Sequence, residues 1–459
     1  MSRQTKLLKR GAEAPAQLLE RTVATTQVLA NSVPQSKLLK KTENYWHMLG
    51  PGLTTGASDD DPSGIATYSQ TGAQSGFHLL WLSAWTFPLM GVVQEMCARI
   101  GLVTGRGLAG NIRVYFPKRI LYFCAMLLFV ANAINIGADL GAMAKAAQLL
   151  NPNFNFGALV IGFAVFSLGL QIFTPYVRYA KYLKWLALVL FSYVASSLLA
   201  HLNWSDVLHS AYIPSIHFNK QEIIIICAIL GTTISPYLFF WQTSQEVEEQ
   251  ILQGKTTLRE RSRAITRSEV NSMRVDVWSG MFLSNAVMFF IIAACGGILY
   301  THGITEITSA AQAAEALRPF AGDASYFLFA VGIIGTGLLA IPVLAGASSY
   351  TIAESFRWRE GLYRKLGQAS AFYGIIIISM AVGLAINFLG IDPIKALIYA
   401  AIANGLVAPI ILLLIVRIAS DKKIMGRWAN SPLSSGIGWL TTIAMAASGI
   451  MAVYALLTQ

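Results

Sequence analysis

Three consecutive aspartates, Asp59, Asp60 and Asp61, sit in the stretch GPGLTTGASDDDPSG at residues 50–64, which opens the first of many apolar segments. A carboxylate at bilayer depth costs roughly 2.5–3.5 kcal/mol or more, so acids placed there line a bundle interior or an ion path and mark function. The competing reading is a solvated loop ahead of the first span, because an acidic run followed by proline commonly turns. A second stretch decides between them. IIIICAILGTTISPYLFFWQTSQEV, residues 223–247, opens strongly apolar and is interrupted near its middle by Gly231, Thr232, Thr233, Ser235 and Pro236. Two interrupted hydrophobic segments, one at the start of each half of a chain, point to a transporter site built from discontinuous helices of an inverted repeat.

Both segments must therefore break. Pro62 and Pro236 each remove a backbone donor, and Gly64 continues a helix poorly. The freed backbone is tolerated at membrane depth only where protein buries it or a watery cavity receives it. The donors gathered at the breaks are all oxygens: the carboxylates of Asp59, Asp60 and Asp61 with the hydroxyls of Ser63, Thr232, Thr233 and Ser235. Hard oxygen donors favour Mg²⁺, Ca²⁺ or Mn²⁺ over Fe²⁺, Cu⁺ or Zn²⁺. Mg²⁺ dehydrates reluctantly, so a roomy site that binds it with waters attached is expected. Three adjacent carboxylates cannot all hold charge in a dry cavity without a cation. Asp61 is expected to be the direct ligand, with Asp59 or Asp60 holding a proton until metal enters.

The elements around the breaks follow from composition. The 459 residues are 55% hydrophobic and 12% charged, about half the charge of an average soluble chain. Apolar stretches near 49–75, 78–104, 119–149, 156–174, 180–200, 221–252, 272–300, 324–354, 369–388, 393–417 and 436–457 give eleven spans of an all-α integral membrane protein. The net charge of +11 is topological rather than a nucleic-acid footprint. With the N-terminus placed in the cytoplasm, 29 of the 34 Lys and Arg fall on the cytoplasmic side, which also puts the C-terminus outside. A basic tail, residues 1–44, precedes a transporter domain at 45–459, whose halves are expected near 45–200 and 221–417 with an extra helix at 436–457. Cys97, Cys124, Cys227 and Cys295 all fall within spans and have no metal-ligand spacing, so neither a disulfide framework nor a zinc site is expected. His201, His209 and His217 in one outer loop read as surface histidines rather than a metal site.

Further candidates lie along the spans. Asn132, Asn135 and Asp139 recur on roughly one face of the third span, and Asp139 needs a partner or a proton. Glu95 precedes Arg99 by four residues, which is most simply a helix-stabilising pair, though it is kept with Asp139 as a candidate for a proton path. Gln242, beyond the second break, stands where an inner exit would run. Asn387 and Asn404 read first as amide glue between helices, with Asn404 a further candidate for lining the site.

The runs GPGLTTGASDDDPSGIATYSQTGA and ARIGLVTGRGLA resemble the Nramp (natural resistance-associated macrophage protein) family of divalent metal transporters, and the likeness extends over about residues 48–455. The resemblance implies an amino-acid-transporter-type fold in which spans one to five and six to ten are inverted repeats and an eleventh is added. The family's Asp-Pro-Gly-Asn motif falls on Asp61, Pro62, Ser63 and Gly64. Its Met-Pro-His motif falls on Ser235, Pro236 and Tyr237, and a further family histidine falls on Gln242. The family's proton-handling acid in the third span matches Asp139, while a neighbouring acid is replaced by Ala142. Tyr237 and Gln242 thus join the proton-path candidates through the resemblance. The reading reached is a secondary transporter of a divalent cation, Mg²⁺ or Mn²⁺, working by alternating access in a bacterial inner membrane, with no cofactor, no nucleic-acid partner and no enzymatic nucleophile–base pair. Its rivals are a transporter of an organic solute on the same fold and a membrane ion sensor.

Overall fold

In lipid every backbone N–H and C=O must find a partner within the protein, so apolar segments of this length resolve as helices. The computed structural model describes Tyr45 and residues 48–457, except 175, 200–201, 216–218, 263–264, 308 and 390–392. The basic tail, His201 and His217 lie outside the described residues. The chain divides into two compact units, Met1–Leu49 and Gly50–Gln459, and every helix described below belongs to the second.

Each expected span falls on a helix or a broken pair. The first is α1, Pro51–Asp59, followed by α2, Pro62–Ser75. Then come α3, Trp81–Thr104; α4, Leu108–Tyr115, a short connecting helix; α5, Lys118–Leu150; and α6, Phe156–Phe173. The fifth span is α7, Tyr176–Leu186, continuing through a 3₁₀ turn into α8, Phe191–Leu199. The sixth breaks into α9, Lys220–Thr233, and α10, Pro236–Leu252. The rest are α11, Arg267–Ile298; α12, Ala310–Phe356; α13, Ser370–Ile386; α14, Pro393–Ser420; and α15, Pro432–Leu457. Seven spans among the described residues are long and apolar enough by themselves to cross a membrane. The first span falls short of that test because its own broken halves are polar.

Two boundaries depart furthest from the sequence reading. α11 begins at Arg267, not near 272, because Thr266 and Glu269 form a capping box: the Thr266 hydroxyl accepts from the Glu269 amide and Glu269 accepts from the Thr266 amide at 2.8 Å. α12 reaches back to Ala310 through a kink at Gly322, so its apolar crossing starts at that kink.

The packing shows the internal repeat. α1 and α2 pack on α11, and α10 packs on α3; α8 packs on α12, and α14 packs on α5; α6 packs on α5, and α13 packs on α12. Each contact recurs when spans one to five are exchanged for spans six to ten, and α5 and α12, which exchange with each other, meet at the centre. An odd number of spans per half makes the second half enter from the opposite face, so the repeat is inverted.

α1 is seated against α11 backbone to backbone where glycines meet. A Cβ on Gly56 would overlap the Gly280 carbonyl, and one on Gly280 would overlap the Gly52 carbonyl. Above that seam Asp276 of α11 accepts from the amides of Gly50 and Gly52 at 2.7 Å and of Leu53 at 3.0 Å, satisfying orphan donors at the start of α1.

A second carboxylate closes the basic end of the bundle. Glu354, at the end of α12, accepts from the Gly110 amide at 2.7 Å and from the Ser244 hydroxyl at 3.1 Å, while Arg113 donates to its carbonyl. Gly107 must lack a side chain because a Cβ there would fall on the Glu354 carboxylate. The ARIGLVTGRGLA run thus ends α3 at Thr104 and turns through Gly105–Gly107 into α4, which Glu354 locks to α12. In the loop that follows, burial pushes the Glu360 carboxyl up to about 9, with Glu354 beside it adding to the rise. A native pKa above the unfolded value means the native state holds its proton while the unfolded chain ionises. Stability from this group is therefore full below about pH 4.5 and is lost as pH rises toward 9. The melting temperature of purified protein is expected to fall across that window, and Glu360→Gln to flatten the slope.

Candidate functional site

Both breaks adopt the same backbone solution. α1 ends in Asp60 at φ −85°, ψ 53°, then Asp61 is extended at φ −69°, ψ 167° and Pro62 opens α2. α9 ends in Ile234 at φ −110°, ψ 59°, then Ser235 is extended at φ −80°, ψ 128° and Pro236 opens α10. Proline at a first helical position has no amide to leave unsatisfied and its φ is already helical. The carbonyl ends of α1 and α9 thus face the gaps, and their partial negative charge suits a cation.

The three aspartates do not converge. Asp61 caps α2, accepting from the Gly64 amide at 2.7 Å, and faces Asp139 of α5 across Ser63. Asp59, at the last position of α1, turns toward α11, where Ser284 donates to it at 2.9 Å. Asp60 lies between them, fully buried, with neither oxygen partnered; Asp139 is likewise fully buried and unpartnered at both oxygens. Among the described residues no Lys, Arg or His forms an ion pair with any of the four. No group of three or more His, Cys, Asp or Glu among the described residues has the geometry of a metal cage. Successive residues at a helix end point in different directions, which is why adjacency in sequence does not give a triad in space.

The hydroxyl candidates hold the breaks in shape. Ser235 donates to the Gly231 and Thr232 carbonyls at 3.0 and 2.6 Å, and Thr232 to the Ile229 carbonyl at 3.0 Å. Two tyrosines tie one break to the other. The Tyr237 hydroxyl donates to the Ser58 carbonyl at 2.8 Å, joining α10 to α1, and Tyr68 lies 3.2 Å from the Thr233 hydroxyl, joining α2 to α9. Tyr237 therefore covers an orphan carbonyl of α1, a positioning role, where the sequence reading put it on a proton path.

The remaining candidates form no hydrogen bond to these four carboxylates among the described residues. Glu95 pairs with Arg99 at 3.0 Å, as the spacing predicts, and also with Arg274 at 2.9 Å and the Trp278 indole at 3.0 Å. These three donors commit it to a structural network at the basic end. Gln242 donates to Glu246 at 2.9 Å, one turn further along α10. Asn404 is buried on α14 with an unpartnered carbonyl oxygen, and Asn387 donates to the Gly137 carbonyl at 2.7 Å as interhelical glue. His209 is exposed on the helix Trp204–Tyr212. The sequence reading missed Tyr68, Ser284 and Asp276. Tyr68 had a signal: it follows Asp61 by seven residues and so shares its helix face. Ser284 and Asp276 come from a helix distant in sequence.

Over most of its length the chain is similar to known transporters. A curated divalent metal cation transporter MntH of Caldanaerobacter subterraneus subsp. tengcongensis is 26% identical over 409 residues, covering 88% of this chain and 90% of that protein. The protein of the same name from Klebsiella pneumoniae subsp. pneumoniae is 24% identical, covering 89% and 94%. Among solved structures, the Eremococcus coleocola manganese transporter in complex with an aromatic bis-isothiourea substituted compound superposes with a TM-score of 0.70 at 20% identity, over 92% of this chain and 88% of that one. Mhp1, a nucleobase-cation-symport-1 family transporter, gives a TM-score of 0.50 at 15% identity, over 89% and 91%. These likenesses show the fold to be the amino-acid-transporter type with a five-plus-five inverted repeat and broken first and sixth spans. Residues 52–455 match the family model of natural resistance-associated macrophage protein-like (Nramp) proteins, and the chain belongs to that family.

Proposed function

We propose that the protein is a secondary transporter that carries a divalent cation, Mg²⁺ or Mn²⁺, through the bilayer by alternating access, and that the cation binds between the two breaks with part of its water shell. The observation that carries this reading is the set of buried carboxylate oxygens on Asp59, Asp60 and Asp139 that have no partner, beside the capping carboxylate of Asp61. Such groups are costly unless a cation or a proton compensates them. A set of oxygens that does not close into a cage suits an ion that keeps waters, and oxygen without sulfur or imidazole suits Mg²⁺ or Mn²⁺. The curated relatives are named as divalent metal cation transporters, which supports the same cargo class. Asp61 is the ligand closest to the ion, and Asp139 takes or releases the proton that accompanies it. The gathering of Lys and Arg at one end of the bundle supports a cytoplasmic N-terminus and an outer C-terminus in a bacterial inner membrane.

The two tyrosine ties supply the gates. α1 and α10 lead from the breaks to the basic end, and α2 and α9 lead to the other, so the Tyr237–Ser58 bond closes one side and the Tyr68–Thr233 bond the other. A buried neutral hydrogen bond contributes about 1 kcal/mol. Tyr237→Phe is expected to shift the population toward opening at the basic end by roughly fivefold, and Tyr68→Phe toward the opposite end. Thiol-reagent accessibility of cysteines placed on either side of the breaks reads both.

Uptake of Mg²⁺ and Mn²⁺ into proteoliposomes, with a pH-sensitive dye inside, tests the reading. Metal entry through the native protein, lost in Asp61→Asn, supports it, and the dye reports whether protons accompany the ion. No flux and no calorimetric binding of either metal would refute it in favour of an organic cation.

A further inference from the structure

At the basic end of the bundle a cavity of about 510 Å³ opens between the end of α3, the short helix Leu258–Ser262 and the segment Lys422–Trp428 that follows α14. Its cationic lining is Arg106, Lys423 and Arg427, and no carboxylate lines it. None of the three forms an ion pair among the described residues. Arg427 donates to the Ile265 carbonyl at 2.9 Å and lies over the Trp428 ring at 4.9 Å, which holds it at the rim. Three cations around one concavity repel each other, and an anion relieves that repulsion.

Two further features say what kind of anion. The segment Lys422–Trp428 bends by 58° from α14, so it leaves the direction of the span at the level where the helix ends, and it ends in a tryptophan, the residue typical of the headgroup region. Polar groups make up the larger part of the lining, and beside them Leu258, Ile424 and the Trp428 ring offer an apolar surface. A free phosphate gains nothing from that apolar surface, whereas the glycerol and first methylenes of a phospholipid do. We propose that this cavity binds the phosphate headgroup of an anionic phospholipid, with Arg106, Lys423 and Arg427 on the phosphate. The bound lipid joins α3 of the first repeat to the end of α14 in the second. This site is independent of the cargo site, so it stands or falls apart from the proposed transport.

The test uses the full-length protein in mixed detergent micelles containing dioleoyl phosphatidylglycerol and dioleoyl phosphatidylcholine, with retained lipid read by native mass spectrometry and stability by thermal melting. Wild type is expected to retain phosphatidylglycerol in preference, and K423Q/R427Q to lose that preference by about tenfold. The variant R178Q/K181Q, which removes the same charge from a basic surface outside the cavity, is expected to behave as wild type, and R427K to retain binding. Equal retention by K423Q/R427Q and wild type overturns the proposal, as does an equal loss in R178Q/K181Q, which would mean diffuse surface attraction. Inorganic phosphate is added in a separate arm. If it alone stabilises the protein as much as phosphatidylglycerol does and displaces the lipid, the site belongs to a free anion and the lipid assignment fails. If K423Q/R427Q does not fold, R106Q and K423Q tested singly decide the outcome: a reduced preference in each supports the site, and undiminished preference in both overturns it.

Discussion

Asp61→Asn is expected to reduce metal uptake by about 100-fold or more while leaving the fold intact. The two halves of that expectation rest on different atoms of one side chain. Asp61 Oδ1 accepts from the Gly64 amide at 2.7 Å and starts α2. Asparagine caps a helix as well as aspartate does, so the substitution keeps this bond. What it removes is a unit charge, and a unit charge pair about 4 Å apart is worth about 4 kcal/mol at the effective dielectric typical of protein sites. Part of that is offset by easier desolvation, which leaves roughly 100-fold. The check pairs initial uptake rates in proteoliposomes with thermal melting of the same preparation. Asp61→Ala loses the cap as well and is expected to melt lower by the equivalent of about 1 kcal/mol. Uptake unchanged in Asp61→Asn would sink the assignment of the ligand, and a collapse of melting would show that the carboxylate serves the fold first.

Gly56→Ala is expected to be among the most destabilising single-methyl changes in the protein. A Cβ at Gly56 meets the Gly280 carbonyl, and backbone, unlike the end of a flexible side chain, cannot move aside. Overpacking of this kind costs about 3 kcal/mol. It also pries α1 from α11 at the point where Asp276 holds the α1 amides, so uptake is expected to fall with it. Gly162→Ala on α6 is the matched control, because nothing lies within 4 Å of a Cβ there. Alanine is a better helix former than glycine by about 1 kcal/mol, so that variant should melt no lower than wild type. Similar melting of both variants would show that the α1–α11 seam is looser than drawn.

Much of this protein can be read before it is folded. Eleven segments were recognisable from hydropathy because the bilayer leaves helices as the available solution, and the two breaks from Pro62 and Pro236, because proline cannot continue the helix before it. The Glu95–Arg99 pair followed from helical spacing, and it forms. The capping box at Thr266 was also written in the sequence, as Thr-x-x-Glu, but the apolar pattern drew attention to residues further on.

What the sequence by itself determined, then, was local: where helices run, where they must stop, which end is basic, and that acids and hydroxyl oxygens collect at the stops. The tertiary structure decided which of those groups meet. Asp59, Asp60 and Asp61 are neighbours in the chain, yet a helix end sends one toward Ser284 of α11, leaves one unpartnered, and turns one back onto α2 beside Asp139. Tyr237 and Tyr68 became ties between the breaks, and Asp276 became the anchor of α1, because the inverted repeat brings residues from opposite halves of the chain into contact. Periodicity along one helix is blind to such contacts: they depend on how two helices are rotated and seated against each other, and here Gly56 and Gly280 set that seating by having no side chains.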